Sequence, residues 1–170
     1  KEGCLSASGE LVVVIDADGQ HEPSYIKKAL SCIYSSKVDI VVGSRFKTGS
    51  KIRGLSKKRE RGSSLANALA RLSLYGYYSY LSDYMSGFFV FKRKVCLEFI
   101  EKIDVNGFKF FYELLAVSKG KFKVNEIPII FKERLHGNSK LDLPVVWDFF
   151  ISLIHSFIRR IIPRRAVSFA

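Results

Sequence analysis

The fold class predicted for this sequence is α/β, a sheet of buried strands crossed by helices. Leu11–Ile15 (LVVVI) is a continuous apolar run rich in β-branched residues and ending on Asp16, which is how a buried parallel strand reads. After the turn at Pro23, Ser24 is placed to cap a helix carrying Ile26, Ala29, Leu30 and Ile33 on one face. Asp39–Arg45 (DIVVGSR) then reads as a second strand. Strand, helix and strand at this spacing make a βαβ unit, the basis of an α/β sheet.

The remaining elements follow in order. Lys47–Arg61 is basic, punctuated by Gly and Ser and almost without apolar residues, so it reads as an exposed loop. It leads into a helix whose expected core stripe is Leu65, Leu69 and Leu72. Gly87–Lys92 (GFFVFK) is another buried strand, Lys109–Lys119 a helix, and Val124–Phe131 (VNEIPIIF) a strand with Pro128 near an edge or bulge. From Val145 to Ile162, Asp148, Ser152, His155, Ser156, Arg159 and Arg160 recur at intervals of three and four. They define one polar face of an amphipathic helix, with aromatic and aliphatic residues around the rest.

A chain of 170 residues suits one domain with a real core. Lys and Arg number 28 against 16 Asp and Glu, a net charge of +12 that calls for an anionic partner: nucleic acid, phosphorylated molecules or an anionic membrane face. Cys4, Cys32 and Cys96 match no metal spacing and read as buried, reduced thiols of a cytosolic compartment. Lys1–Glu10 has neither an initiator Met nor an apolar signal region, and RRAVSFA stops where an apolar run begins, so we expect part of a longer protein.

The strongest chemical signal is Asp16-Ala17-Asp18-Gly19-Gln20-His21 at the end of the first strand, where ligand sites of α/β sheets lie. Asp16, Asp18 and Gln20 supply hard oxygen donors for magnesium or manganese, which would keep positions open for substrate phosphate oxygens. The same residues also suit an acidic turn.

In order, DADGQHEP, GSRF, SDYMSGFFVFKR and RLHGNSKL resemble the motifs of the polyprenol-phosphate mannosyl- and glucosyltransferases, the dolichol-phosphate mannose synthase group of family 2 glycosyltransferases. The resemblance covers nearly the whole chain. It implies a GT-A, Rossmann-like fold and an inverting, metal-dependent transfer. The expected reaction moves mannose from GDP-mannose to a polyprenyl or dolichyl phosphate, with glucose from UDP-glucose as the alternative.

It further implies that Asp16 lies near the nucleotide-sugar and that Asp83 belongs to the active site. Arg45, Arg59 and Ser63 would clamp the acceptor phosphate, and Arg134, Ser139 and Lys140 would close over the donor diphosphate. A lipid phosphate set beside a diphosphate needs guanidinium forks, and its anionic oxygen needs no strong general base. Arg59 and Ser63 read equally as a solvated helix start, and Asp83 as a turn and N-cap.

Family members carry a preceding half that binds base and ribose. With the metal motif at residue 16 that half is absent, so a GT-A domain truncated at its N-terminus, inactive alone, is expected. The domain reading is 1–142 partial catalytic domain and 143–170 amphipathic membrane-interface segment, on the cytosolic face of a membrane. A nucleic-acid-binding module fits less well, because no such signature accompanies the charge. A scaffold without catalysis fits poorly with intact Asp16, Asp18, Arg45 and Arg134. Trp147 lies outside the acceptor motif of polymerising synthases.

Overall fold

The computed structural model describes residues 1–53, 57–103, 110–133, 151, 153 and 154. Its elements are α1 (Glu2–Ser6), β1 (Leu11–Ile15), α2 (Ser24–Ser35), β2 (Ile40–Ser44), β3 (Lys51–Ile52), α3 (Lys57–Ser73), β4 (Phe88–Lys92), α4 (Arg93–Glu101), α5 (Phe110–Ser118), β5 (Val124–Pro128) and β6 (Ile130–Phe131). Four strands form one sheet in the order β1-β4-β2-β5, and β3 pairs with β6 in a second.

The expected βαβ unit of β1, α2 and β2 is present, set in a mixed sheet. β4 runs antiparallel to both β1 and β2, with Ile15 opposite Phe88 and Val41 opposite Val90, while β2 and β5 are parallel, with Val42 opposite Glu126. β1 and β2 are therefore parallel to each other, with an antiparallel strand between them, and the sheet is mixed. β1 is an edge strand of the described sheet and mostly half-exposed, not the fully buried strand its composition predicts. An apolar run announces a strand but not the direction of its neighbour.

Alternation along the strands divides the core between two faces. On one face Val41, Phe88 and Val90 meet Tyr25, Ala29 and Ile33 of α2. On the other, Ile40, Val42, Phe89 and Phe91 meet Ala70 and Leu74, Cys96 and Ile100 of α4, and Phe111 and Leu115 of α5. The ring of Phe89 lies 5.0 Å from that of Phe111 and 5.9 Å from that of Phe110. Each such buried ring contributes about 1.5–3 kcal/mol by leaving water.

Four further expectations are corrected. Ser24 is no cap: Pro23 occupies the N-cap position of α2, and the Ser24 hydroxyl donates to Glu22 at 2.9 Å. Of the expected α3 stripe Leu69 packs against the core, but Leu65 and Leu72 are 59% and 64% exposed, whereas Asn67, Ala70 and Ser73, and Leu74 just past the helix, are buried. Asn67 Oδ1 accepts the Tyr84 N–H at 2.7 Å and the Ser73 hydroxyl meets Tyr112 at 2.8 Å, so hydrogen bonds select the buried face. The basic segment is not all loop, since Lys51–Ile52 forms β3 and the helix starts at Lys57. The predicted strand over 124–131 divides into β5 and β6 around Ile129, with Pro128 closing edge strand β5, a place where a missing N–H is tolerated.

The expected amphipathic helix over 145–162 lies outside the described residues except for Ile151, Leu153 and Ile154. Leu153 is 8% exposed and belongs to the core beneath α3–α5, while Ile151 and Ile154 are exposed. No helix among the described residues is long and apolar enough to cross a membrane.

Candidate functional site

β1 and β2 end at the same edge of the sheet at which antiparallel β4 begins, so three chain segments meet there: residues 16–21, 44–47 and 82–87. The Asp16 N–H donates to the Gly87 carbonyl at 3.0 Å, carrying the β1–β4 ladder one step into the site. A side chain at position 87 would occupy the space filled by the Asp16 carboxylate. Glycine at 87 is therefore what lets Asp16 lie across the end of the sheet. Ser86 fixes the same turn by donating from its hydroxyl to the Gly43 carbonyl at 2.6 Å.

Arg45 and Asp83 form the centre of the site. The guanidinium Nε donates to Asp83 Oδ2 at 2.7 Å and Nη2 to Oδ1 at 2.8 Å, a two-pronged pair. The Arg45 side chain is 11% exposed and that of Asp83 fully buried. Asp83 also accepts the backbone N–H groups of Arg45 and Met85. Burial disfavours the Arg45 charge, but Asp83 and then Asp16 outweigh it and hold the pKa above its ordinary value. Asp83 is thus the partner that holds Arg45, a more specific place than a turn or cap.

The acidic motif is stitched to the far side of the sheet. Asp18 Oδ1 accepts the Gln20 N–H at 3.1 Å around Gly19, whose φ of 77° favours glycine. Gln20 Nε2 donates to the Lys132 carbonyl at 3.1 Å, and the Lys132 N–H returns to Gln20 at 3.0 Å. A cleft of about 700 Å³ opens here, lined in part by Asp16, Ala17, Gly19, His21, Lys132 and Glu133. His21 is buried edge-on against Phe131, with ring centroids 5.1 Å apart. Burial, and next the Arg45 charge, lower its pKa to about 4, so the ring is neutral at physiological pH.

The donor set fits a divalent ion of the magnesium type. Among the described residues no group of three His, Cys, Asp or Glu could hold a metal. Such ions need no protein cage, because one or two carboxylates complemented by substrate phosphates suffice. Asp16 and Asp18 can supply those carboxylates, and any bond from Gln20 would be through Oε1.

The structure therefore brings Asp16, Arg45 and Asp83 together, with Asp18 and Gln20 on the adjoining turn. Arg59 and Ser63 stand on the first turns of α3, which is joined to the 82–87 turn through Asn67. Arg134, Ser139 and Lys140 lie outside the described residues. Sequence reasoning missed Glu126, buried in β5, whose carboxylate accepts the N–H groups of Ser82 at 2.8 Å and Asp83 at 3.1 Å. Its one signal was an acidic residue inside the apolar VNEIPIIF run. All three cysteines are free thiols, with Cys4 and Cys96 buried as expected and Cys32 half-buried.

Residues 1–99 match the profile described as Glycosyl transferase family 2. The chain is 35% identical over 150 residues to a dolichol-phosphate mannosyltransferase of Pyrococcus furiosus, covering 86% of this chain and 40% of that protein. It is 32% identical over 139 residues to a polyprenol monophosphomannose synthase of Mycolicibacterium smegmatis, covering 77% of this chain and 49% of the relative. The chain thus spans less than half the length of either. Among solved structures, glucosyl-3-phosphoglycerate synthase from Mycobacterium tuberculosis, in complex with Mn2+, UDP-glucose and phosphoglyceric acid, superposes with a TM-score of 0.61. That match covers 93% of this chain and 51% of the other at 16% identity, a likeness of fold that agrees with the expected GT-A architecture. With the matching profile spanning more than half of its residues, the chain belongs to glycosyl transferase family 2.

Proposed function

We propose that the native protein carrying this chain transfers a hexose from a nucleotide-sugar to a polyprenyl phosphate, with mannose from GDP-mannose as the favoured donor. The observation that carries this reading is the meeting of the Asp16–Gln20 motif with the Asp83-held Arg45 at one edge of the sheet. The two named relatives act, by their names, on dolichol or polyprenol phosphate and mannose. Glucose from UDP-glucose is the second reading, favoured by the donor in the structurally similar synthase.

In the proposed reaction an acceptor phosphate oxygen attacks the anomeric carbon as the bond to the diphosphate breaks, inverting that carbon. The phosphate is already anionic, so no residue must remove a proton. Asp16, Asp18 and Gln20 would hold a magnesium or manganese ion, which supplies charge neutralisation for the departing nucleoside diphosphate. Arg45, aimed by Asp83, would hold the acceptor phosphate, with Arg59 and Ser63 extending that clamp from α3. Arg134, Ser139 and Lys140 would bind the donor diphosphate.

The reading places the protein on the cytosolic face of a membrane, where a polyprenyl phosphate lies. Segment 143–170 would rest there with Leu153 docked on the catalytic domain 1–142 and Arg159, Arg160, Arg164 and Arg165 on anionic headgroups. Flotation with anionic vesicles should weaken when these four arginines become Gln. Radiolabelled transfer to dolichyl phosphate, run with both donors, tests the reaction. Label should reach the lipid only with divalent metal and should be lost in Asp18→Ala. Transfer that persists in chelator, or no transfer from either donor, overturns the reading.

A further inference from the structure

We propose that Glu126 is a positioning residue of this site, setting the direction of the Arg45 fork through two separate hydrogen-bonded arms. The inference rests on the reading of Arg45 as the acceptor-phosphate clamp for its kinetic consequence, but not for its geometry.

Glu126 lies within β5, opposite Val42 of β2, and is 8% exposed. A carboxylate so placed must have its oxygens satisfied, and what satisfies them is informative. In the first arm, Oε1 accepts the N–H groups of Ser82 at 2.8 Å and Asp83 at 3.1 Å, which fixes the backbone carrying the Asp83 side chain. Asp83 in turn grips the Arg45 guanidinium through both its oxygens.

In the second arm, the Ser82 hydroxyl donates to Oε2 at 2.9 Å and lies 2.6 Å from the Ser44 hydroxyl. Ser44 Oγ accepts the N–H groups of Phe46 at 3.2 Å and Lys47 at 3.0 Å, the two residues after Arg45. One arm therefore sets the guanidinium and the other the backbone that bears it. Both begin at the same carboxylate. An apolar residue at 126 could fill the strand, but it would leave the Ser82 and Asp83 N–H groups unsatisfied and Arg45 free to swing.

The substitutions separate these functions. Glu126→Gln keeps Oε1 as acceptor for both N–H groups and asks only that the Ser82 hydroxyl turn, whereas Glu126→Ala removes both arms. In the native protein, Glu126→Ala should raise the KM for the lipid phosphate by about tenfold or more with the donor KM unchanged, and Glu126→Gln should recover most of the loss. Added to Arg45→Ala, Glu126→Ala should have no further effect on acceptor KM, because its consequence runs through Arg45. A full multiplicative effect in that background, or wild-type acceptor KM in Glu126→Ala, overturns the proposal.

The Arg45 Nε–H resonance gives a readout independent of turnover. It should shift in Glu126→Ala and stay near its wild-type position in Glu126→Gln, with Asp83→Asn as reference for a broken pair. If Arg45→Ala leaves acceptor use intact, the acceptor reading fails, and the resonance alone then judges Glu126. A resonance unmoved by Glu126→Ala refutes its positioning role.

Discussion

Arg45 follows the inner strand β2 with its side chain 11% exposed and its fork shut on Asp83, whereas Arg59 stands half-buried in the first turn of α3, among the exposed Lys57, Glu60 and Arg61. The two share a side chain and an expected partner, the acceptor phosphate. What differs is how fully the surroundings determine their direction. Around Arg45, the Asp83 carboxylate, the Met85 carbonyl and the chain from Glu126 leave one arrangement. A charge so held is ready before substrate arrives, and its removal disturbs the fold as well as the site. A half-buried charge at the start of a helix carries less of the fold with it.

The sharpest way to break the contrast is to remove the partner of the buried charge. Asp83→Ala should destabilise the protein by about 3–5 kcal/mol, because Arg45 is left buried and unpaired. Arg59→Ala, at a half-buried position without the buried carboxylate partner of Arg45, should cost about 1–2 kcal/mol. Urea denaturation of the two variants measures both. Equal losses would mean that Arg59 is as tightly held as Arg45.

Acid tests the buried region next. Because the folded-state pKa of His21 is lowered to about 4 from 6.5, the unfolded chain binds the proton first as pH falls. The stability contributed by keeping the ring neutral is whole above pH 6.5 and is lost progressively down to about pH 4. At one unit per 1.36 kcal/mol the loss amounts to about 3 kcal/mol. Denaturation in chelator at pH 6.5 and 4.5, compared between wild type and His21→Phe, isolates this contribution from that of the carboxylates. If the variant loses as much stability as the wild type, the ring is not held neutral.

A smaller effect, about 1–3 kcal/mol by overpacking, is expected for Gly87→Ala, whose methyl group collides with the Asp16 carboxylate. Truncating the carboxylate in the same protein, Asp16→Ala with Gly87→Ala, should restore part of the stability. Manganese binding should be lost in both. No recovery in the double variant would show that the collision lies elsewhere.

Asp16 was legible as a candidate from its place at the end of an apolar run, Asp18 and Gln20 from their spacing after it, and Arg45 and Asp83 from the resemblance of GSRF and SDYMSGF to family motifs. Their mutual arrangement was not. The pairing of Arg45 with Asp83 spans 38 positions and that of Glu126 with Ser82 spans 44, and no local pattern carries such a separation. Strand direction was hidden for a similar reason: GFFVFK reads the same whether its neighbours run with it or against it. The basic charge, read as a call for an anionic partner, named a class of ligand without locating it. Part of it, the Nε and Nη2 edge of Arg45, is turned to an internal carboxylate.

Helix α3 gives the smallest expected effect and the clearest contest between sequence and fold. The spacing of Leu65, Leu69 and Leu72 is that of a core stripe, and on that ground each Leu→Ala change would cost about 2–5 kcal/mol. The structure packs Leu69 against the core but exposes Leu65 and Leu72, and buries the neighbouring face of Asn67, Ala70 and Ser73 with Leu74 after it. Small side chains on that face suit a helix laid close against the 82–84 turn, where Asn67 meets the Tyr84 N–H. On this arrangement Leu65→Gln and Leu72→Gln should change stability by less than about 0.5 kcal/mol, the range of surface substitutions. Leu74→Ala should cost about 2–5 kcal/mol, as for a buried leucine. Thermal denaturation of the three variants compares them directly. A loss above about 2 kcal/mol at Leu65 or Leu72 would return the stripe to the core and reverse the contrast between α3 and the Arg45 region.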